Sequence, residues 1–483
     1  MASIDKLTVR NEVRRLKADF EQLCMDGEIK NELKVLMNSM FMIIELMLSI
    51  FLEKATKKNN KNSSIPSSQT DKDESSLPLQ SGSKSKGKPE NRKIVANTRV
   101  KESVVLSEVH ACNVCGEALN DIARTEVERR TKIDIIFEKV IEHVDAEIKQ
   151  CPTCHSKVKA PFPVDMPGPR QYGNGIKAYV INLLVCQMVS VNRVQKLVAA
   201  MMDVVISEAS LLKFILRLHH ALEHWERSAI ASLLNLPAMN VDETSLRVDK
   251  QNHWIHVYSA GDITLKCLHH RRGLEAIDAI DIVPRYGGII IHDCWASYFA
   301  YQHCGHALCG SHLLRELTFI VESNGYAWAA NVKRLLQETC IQVSNSKKKK
   351  LSKKDYLKLQ KRFRNIMTRG DKELPSIPPK PSGKRGKIAK SDAHNLWQRL
   401  MDNEQAVWLF AKNAHVSFTN NRAERDLRMA KVKQKVSGCF RTQIYAQAYC
   451  RISSYLQTMA NKGHNPLIAV QMALAGKGVI GGE

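Results

Sequence analysis

The feature that most constrains this chain is a change of hydrophobic period at Pro237. From Gly173 to about Leu236 the runs YVINLLVCQMV, RVQKLVAAMMDVV and ASLLKFILRLHHALEHWERSAIASLLN carry apolar residues at helical spacing. Beyond Pro237, AMNVDETSLRV, HWIHVYSAGDITLKCLHH and GGIIIHDCW read as strands, and the unbroken run Ile289–Ile291 suits a central strand buried on both faces. The expected fold class is therefore α/β, with a helical domain (166–236) ahead of the sheet. Ser207 is a plausible N-cap before SEASLLKFILR. The short helices fit a helix-turn-helix and an ordinary bundle equally, with Lys213 and Arg217 the only candidates for a recognition face. In open α/β sheets functional groups collect at the carboxyl ends of strands. Asp293 falls where its strand should end and Asp242 lies on a neighbouring strand, so the two could share a metal, although either alone also fits a turn or a cap.

A chain of 483 residues, 44% of them hydrophobic, has room for two to four domains. Lys and Arg outnumber Asp and Glu by 72 − 49 = 23, an excess that points to a polyanionic partner, nucleic acid before an anionic membrane surface. MASIDKLTVRNEVRRLK is an amphipathic helix pattern rather than a secretory signal, which predicts a cytosolic protein. Thirteen cysteines, an odd number in a long chain, suggest metal ligands and buried thiols rather than a disulfide framework. CNVC and CPTC place Cys112, Cys115, Cys151 and Cys154 as four thiolates for one tetrahedral Zn²⁺ in a domain spanning 101–165, with TKIDIIFEKVIEHVDAEI expected to form a hairpin between the two turns. HCGHALCGSH invites a second metal site through His303, Cys304, His306, Cys309 and His312. A strand feeding a helix should scatter those side chains, which favours a packed or hydrogen-bonded role for Cys309 and His312.

Toward the N-terminus, Val9, Val13, Leu16, Phe20 and Leu23, then Leu33, Leu36, Met40, Ile43, Met47 and Ile50, recur in steps of four and three, the seam of a coiled coil or paired helix over 1–54. Asn38, Glu45 and Ser49 argue against the alternative of a membrane span. The Ser-, Lys- and Pro-rich stretch from 55 to 100 reads as a disordered basic linker. Near the other end, TNNRAERDLRMAKVKQKVSG plants Glu424 among cations. Asn421 with Glu424 three residues on is the signature of a capping box. On a helix, Glu424, Arg428, Lys431 and Lys435 also form one stripe, flanked by an apolar stripe of Ala423, Leu427 and Ala430. These cations, with Arg425 and Arg441, fit DNA phosphates or a solvated helix face equally.

VDETSLRV, IHDCWASY and NNRAERDLR, in that order, resemble the three acidic motifs of the DDE transposases of the insertion-sequence-66 family. KNSSIPSS, the paired C-x-x-C turns, CGSHLLREL and RISSYLQTMANKGHNPLIAV extend the resemblance over nearly the whole chain. The lysine-rich SKKKKLSKKDYLKLQKRFRNIM and the absence of a glycine after Asp293 depart from the family's pattern. The resemblance implies a ribonuclease-H-like catalytic domain at 237–440 with a basic helical insert at about 340–395, followed by C-terminal helices at 441–483. It also implies that Asp242, Asp293 and Glu424 hold two Mg²⁺ (or Mn²⁺) ions for strand transfer on double-stranded DNA, the element's terminal repeats and a target, with one structural Zn²⁺. A homo-oligomer associated with the nucleoid, with or without accessory proteins of the same element, is the expected state. A non-catalytic zinc-containing regulator and a purely hydrolytic nuclease of the same fold stay open.

Overall fold

A computed structural model of the chain describes residues 6–26, 29–56, 58, 59, 61–63, 103–134, 138–377 and 390–476. Two units can be distinguished, one from Met1–Pro89 with Arg227–Gln434 and one from Glu90–Glu226 with Lys435–Glu483. The expected linker at 55–100 and the later part of KNSSIPSS fall mostly outside the described residues, as do 378–389 of the basic insert.

In the first unit, α1 (Lys6–Met25) and α2 (Asn31–Ala55) fold back on one another, with Phe20 against Phe41 at a 5.7 Å ring separation and Lys17 within 3.1 Å of Glu45. The heptad seam is thus not consumed within the hairpin. Leu16, Leu23, Leu33, Leu36, Met40, Ile43 and Met47 all remain exposed, Leu36 at 58% and Met47 at 64%. By length and mean hydropathy, 2.1 over its most apolar window, α2 could cross a membrane. Its C-terminal end is instead packed inside this unit, where buried Glu53 accepts hydrogen bonds from the backbone N–H groups of Asp392 and Ala393 and from the Asn324 side chain.

In the second unit, the first C-x-x-C turn is closed by an isolated bridge between Ala111 and Ala118, the second by β1 (Ile148–Gln150) pairing antiparallel with β2 (Lys157–Lys159). The hairpin expected from TKIDIIFEKVIEHVDAEI is not formed. Its described residues ahead of β1 have no strand partner, and Ile133, Val140 and Ile141 stay exposed, so no apolar face is buried to hold a sheet there. Helices α3 (Asn174–Ile181), α4 (Val191–Met202), α5 (Glu208–Ala221) and α6 (Glu223–Leu234) follow. Ser207 caps α5 by accepting from the Ser210 N–H. Lys213 and Arg217 lie exposed on α5.

The sheet of the first unit has β3 (Ala238–Val248), β4 (Gln251–Ala260) and β5 (Ile263–His269) as an antiparallel meander, then β6 (Ile289–His292) and β7 (Gly305–Leu308) added in parallel beside β3. The spatial order is β5-β4-β3-β6-β7. Ile290 and Ile291 are fully buried, as their unbroken apolar run requires. After α7 (Leu274–Ile280), the helices α8 (Gly310–Asn324), α9 (Ala327–Asn345), α10 (Lys353–Glu373), α11 (Asp392–Asp402) and α12 (Glu404–Lys412) build a core around Trp328, Phe363 and Trp408 that continues into Ile291 and Leu308 of the sheet. The insert is therefore a packed extension of the sheet's core, and its lysines line the outside of α10. Next comes α13 (Asn421–Ser437); α14 (Gln443–Asn461) and α15 (Pro466–Leu474) then pack with α3 and α5 in the second unit, where Trp225 meets Tyr455 edge-on and Arg451 binds Glu226.

An exposed apolar seam of this length is the surface expected to pair with a second chain, and two substitutions test that expectation. Leu36→Glu with Ile43→Glu should leave the fold and its melting within about 0.5 kcal/mol of wild type, while sedimentation reports a fall to one chain per particle.

Candidate active site

Two residues past the last β3–β6 pair, Asn240 with Ile291, the same register sets Asp242 beside Asp293. Asp242 is half-buried within β3, and its Oδ1 accepts the Glu243 N–H at 2.9 Å. Asp293 leaves the end of β6 and accepts the Trp295 N–H at 3.1 Å. Between them in sequence position and space stands a strained residue: Cys294 has φ 75°, a left-handed backbone that glycine adopts without cost and a side chain resists. This gives the glycine missing from IHDCW a physical meaning, since the turn that aims Asp293 asks for one.

Glu424 arrives on the first turns of α13. Its placement depends on the residue before the helix: buried Asn420 donates to the Val241 carbonyl at 2.7 Å, accepts from the Asn240 side chain at 2.9 Å, and presents its N–H to Cys309 Sγ at 3.1 Å. Gly310 donates its N–H to the Phe418 carbonyl, and a Cβ at that position would sit inside the Phe418 ring. The capping box expected of Asn421 and Glu424 is not made. Asn421 is already the first helical residue, and Glu424 Oε1 is buried without a hydrogen-bond partner.

The three carboxylates feel one another. Burial pushes the Asp242 carboxyl well above its ordinary range, and the charges of Glu243, Asp293 and Glu424 push it further. Glu243, on the other face of β3, is committed elsewhere: Arg272 holds its Oε1 at 2.6 Å and Tyr298 donates to its Oε2 at 2.8 Å. The Arg272 guanidinium lies over the rings of Trp295 (4.4 Å) and Trp254 (5.0 Å). Burial still raises the Glu243 carboxyl despite that cation. Asp426 is equally committed, buried and accepting from Ser259 and Thr264. Sequence reasoning missed Arg272, Asn420 and Tyr298. The pair of tryptophans flanking an arginine was the only local signal among them, and it spans three separate segments.

Of the cations, Arg425, Arg428, Lys431 and Lys435 are exposed along α13 and Arg441 lies exposed beyond it, while Ala423, Leu427 and Ala430 are buried. Lys431 is partly tethered, its Nζ donating to Ser245 on β3. Each C-x-x-C turn has the same backbone form, with the Cys112 N–H bonded to the Glu117 carbonyl and the Cys151 N–H to the Ser156 carbonyl. Backbone N–H groups at Cys115 and Val114 lower the Cys112 thiol, and the Ser156 hydroxyl lowers Cys154 to about 7. The two turns do not close on a common point, for no three of those four sulfurs lie within 4.8 Å of one another.

HCGHALCGSH is divided. His303 binds the Val283 carbonyl, Cys304 the Tyr286 carbonyl, and His306 the Tyr301 carbonyl and His292. Cys309 and His312 are not scattered as expected, because Cys309 precedes α8 and His312 lies in its first turn, so both reach the same side and meet Glu424. Burial alone would push the Cys309 thiol up and the His312 imidazole down. Their mutual interaction outweighs it, and the thiol is lowered while the imidazole is raised.

The repulsion at Asp242 has a measurable consequence. Its carboxyl binds a proton more tightly in the folded chain than in the unfolded one, where its pKa is about 3.9. Stability therefore falls as pH rises from about 4 through the raised folded value. Asp242→Asn removes that loss: metal-free protein should melt higher than wild type at neutral pH, by about 2–4 °C for each kcal/mol of repulsion relieved, and the gap should close below about pH 4.

No curated protein matches this chain. A sequence model of the family described as "Transposase IS66 family" matches residues 170–448, more than half of the chain and all of the sheet, α7 to α13 and the three carboxylates. The chain belongs to the IS66 family of transposases.

Proposed function

We propose that this transposase cleaves and joins DNA strands at the ends of an insertion sequence by a DDE mechanism in a ribonuclease-H-like domain, with Asp242, Asp293 and Glu424 as its catalytic carboxylates. The observation that carries the reading is the convergence of acids at Asp242, a half-buried carboxylate that burial first, and then the charges of Glu243, Asp293 and Glu424, push well above its ordinary range. A meander of three strands extended in parallel by two more, with an acid within β3 beside one leaving the end of β6, supports the fold assignment. Glu424 Oε1 has no hydrogen-bond partner, its near neighbour being His312 at 3.6 Å, and the donor atoms of the three carboxylates do not all lie within 4.8 Å of one another, so cations would draw them together; oxygen-rich carboxylate sites suit Mg²⁺ or Mn²⁺. Two bound ions would activate the attacking water or 3′-hydroxyl and stabilise the leaving oxygen.

The chain's own residues supply position and exclusion. Asp242 and Asp293 each spend one oxygen on a backbone N–H, of Glu243 and Trp295, which fixes the carboxylates. Arg272 and Tyr298 hold Glu243 out of competition for the ions. Asn420 anchors α13 so that Glu424 faces β3. Arg425, Arg428, Lys431, Lys435 and Arg441 would bind phosphates flanking the scissile bond, giving the steep salt dependence of backbone contacts. The two C-x-x-C turns, with matching backbones and lowered thiols, fit one structural Zn²⁺ that draws them together. The exposed seam supports a homo-oligomer, and a transposase acting on DNA would work at the nucleoid in the cytoplasm.

Glu424→Gln preserves length and volume but removes a carboxylate, and Asp293→Asn does the same at β6. Each should lower Mg²⁺-dependent cleavage of an end-containing duplex by more than the roughly 10–100-fold that losing a group behind a metal ligand costs. Melting and DNA affinity at fixed salt should stay near wild type. Supplied with a precut 3′-hydroxyl end and a target plasmid, wild type should join them. Cleavage without joining would instead indicate a nuclease, and binding alone a regulator. Cys112→Ser with Cys154→Ser should abolish the zinc that survives dialysis into metal-free buffer, one ion per chain in wild type by elemental analysis.

A further inference from the structure

We infer that Cys309, His312 and Glu424 form a second transition-metal site, a thiolate, an imidazole and a carboxylate that take Zn²⁺ or a similar borderline cation and draw Glu424 away from the acidic cluster. Among the described residues these are the three metal-ligating side chains whose donor atoms all lie within 4.8 Å of one another. Tetrahedral Zn²⁺, with bonds of about 2.0–2.3 Å, separates its donors by about 3.3–3.8 Å. His312 Nδ1 and Glu424 Oε1 already stand 3.6 Å apart. The two atoms pair with each other as an ion pair when His312 is protonated, but neither has a hydrogen-bond partner, so a bound cation would satisfy both at once.

The chemistry of the set is selective. Thiolate and carboxylate together carry two negative charges, which a divalent cation neutralises, and the sulfur and imidazole favour zinc over magnesium. The ligands are the thiolate and the neutral imidazole, so whatever protons the pair carries leave to solvent on binding, and water fills the fourth position. The frame is stiff: Cys309 Sγ is held by the Asn420 N–H and by Ser311, and His312 rises from the first turn of α8. Because Glu424 is common to both sites, zinc bound here should oppose magnesium-dependent catalysis. That consequence rests on the DDE reading, whereas binding itself does not.

The test is a titration of the full-length, zinc-purified protein against a chromophoric zinc indicator. Wild type should take up a second zinc beyond the one retained through dialysis. Cys309→Ser, which keeps an acceptor for the Asn420 N–H, and His312→Gln should each take up none, and Cys112→Ser with Cys154→Ser should still load this site. With cobalt in place of zinc, wild type should show a thiolate-to-metal absorption that Cys309→Ser lacks. No second zinc in wild type, or a second zinc indifferent to both Cys309→Ser and His312→Gln, would overturn the site. If the second zinc binds as described but the protein neither cleaves nor joins DNA in magnesium, the site stands and the catalytic reading falls.

Discussion

The side chain of Asn420 is the joint on which the acidic site depends. It is buried, it lies at the entry to α13, and it spends both ends of its amide on β3, at the Val241 carbonyl and the Asn240 side chain. A buried amide so fully satisfied is held hard, because removing either partner would strand a polar group out of water. Through it, the helix carrying Glu424 is fixed against the strand carrying Asp242. Its N–H meets Cys309 Sγ, so the start of α8 is locked into the same joint. The bare Cα of Gly310 lets the segment around Phe418 come close enough for this.

Around that joint, charge is sorted by burial. Five acidic side chains on or near β3, β6 and α13 differ in their fates by what reaches them. Glu243 is matched by Arg272 and Tyr298, and Asp426 by two hydroxyls of β4 and β5, so both serve structure. Asp242, Asp293 and Glu424 are left facing one another, and burial, joined by the charges of Glu243, Asp293 and Glu424, raises the Asp242 carboxyl. Left-handed Cys294 adds backbone strain at the same place. Like charges and backbone strain thus meet at one place on the sheet, the kind of stored cost that collects at functional sites.

The N-terminal hairpin is tied to the same unit by a different device. Glu53 caps the first N–H groups of α11, where a carboxylate is favoured by the helix dipole, and Asn324 at the end of α8 completes the contact. An assembly formed through the exposed seam of α1 and α2 would therefore bear directly on α8, the helix that carries His312 beside Glu424. Association and the acidic site are joined by one helix.

Much of this was legible in the sequence wherever the signal was periodic and local. The change from helical to alternating period at Pro237, the doubly buried Ile290 and Ile291, the Ser207 cap, and the buried Ala423, Leu427 and Ala430 stripe all follow from residues a few positions apart, whose geometry the backbone repeats. Asp293 could be put at the end of its strand and Asp242 on a neighbouring one for the same reason. What the sequence left undecided were matters of contact across long separations. Whether Glu424 closes its own helix turn or faces β3 was settled by Asn420, 180 residues from Asn240. Whether Cys309 and His312 scatter or converge was settled by where α13 docks. Whether Glu243 competes with Asp242 was settled by Arg272, 29 residues on, and the outward turn of the heptad seam by the fold-back of α1 on α2. A side chain's local period fixes which way it points, but its chemistry is set by what lies opposite, and only the packed chain brings the opposite partner into place.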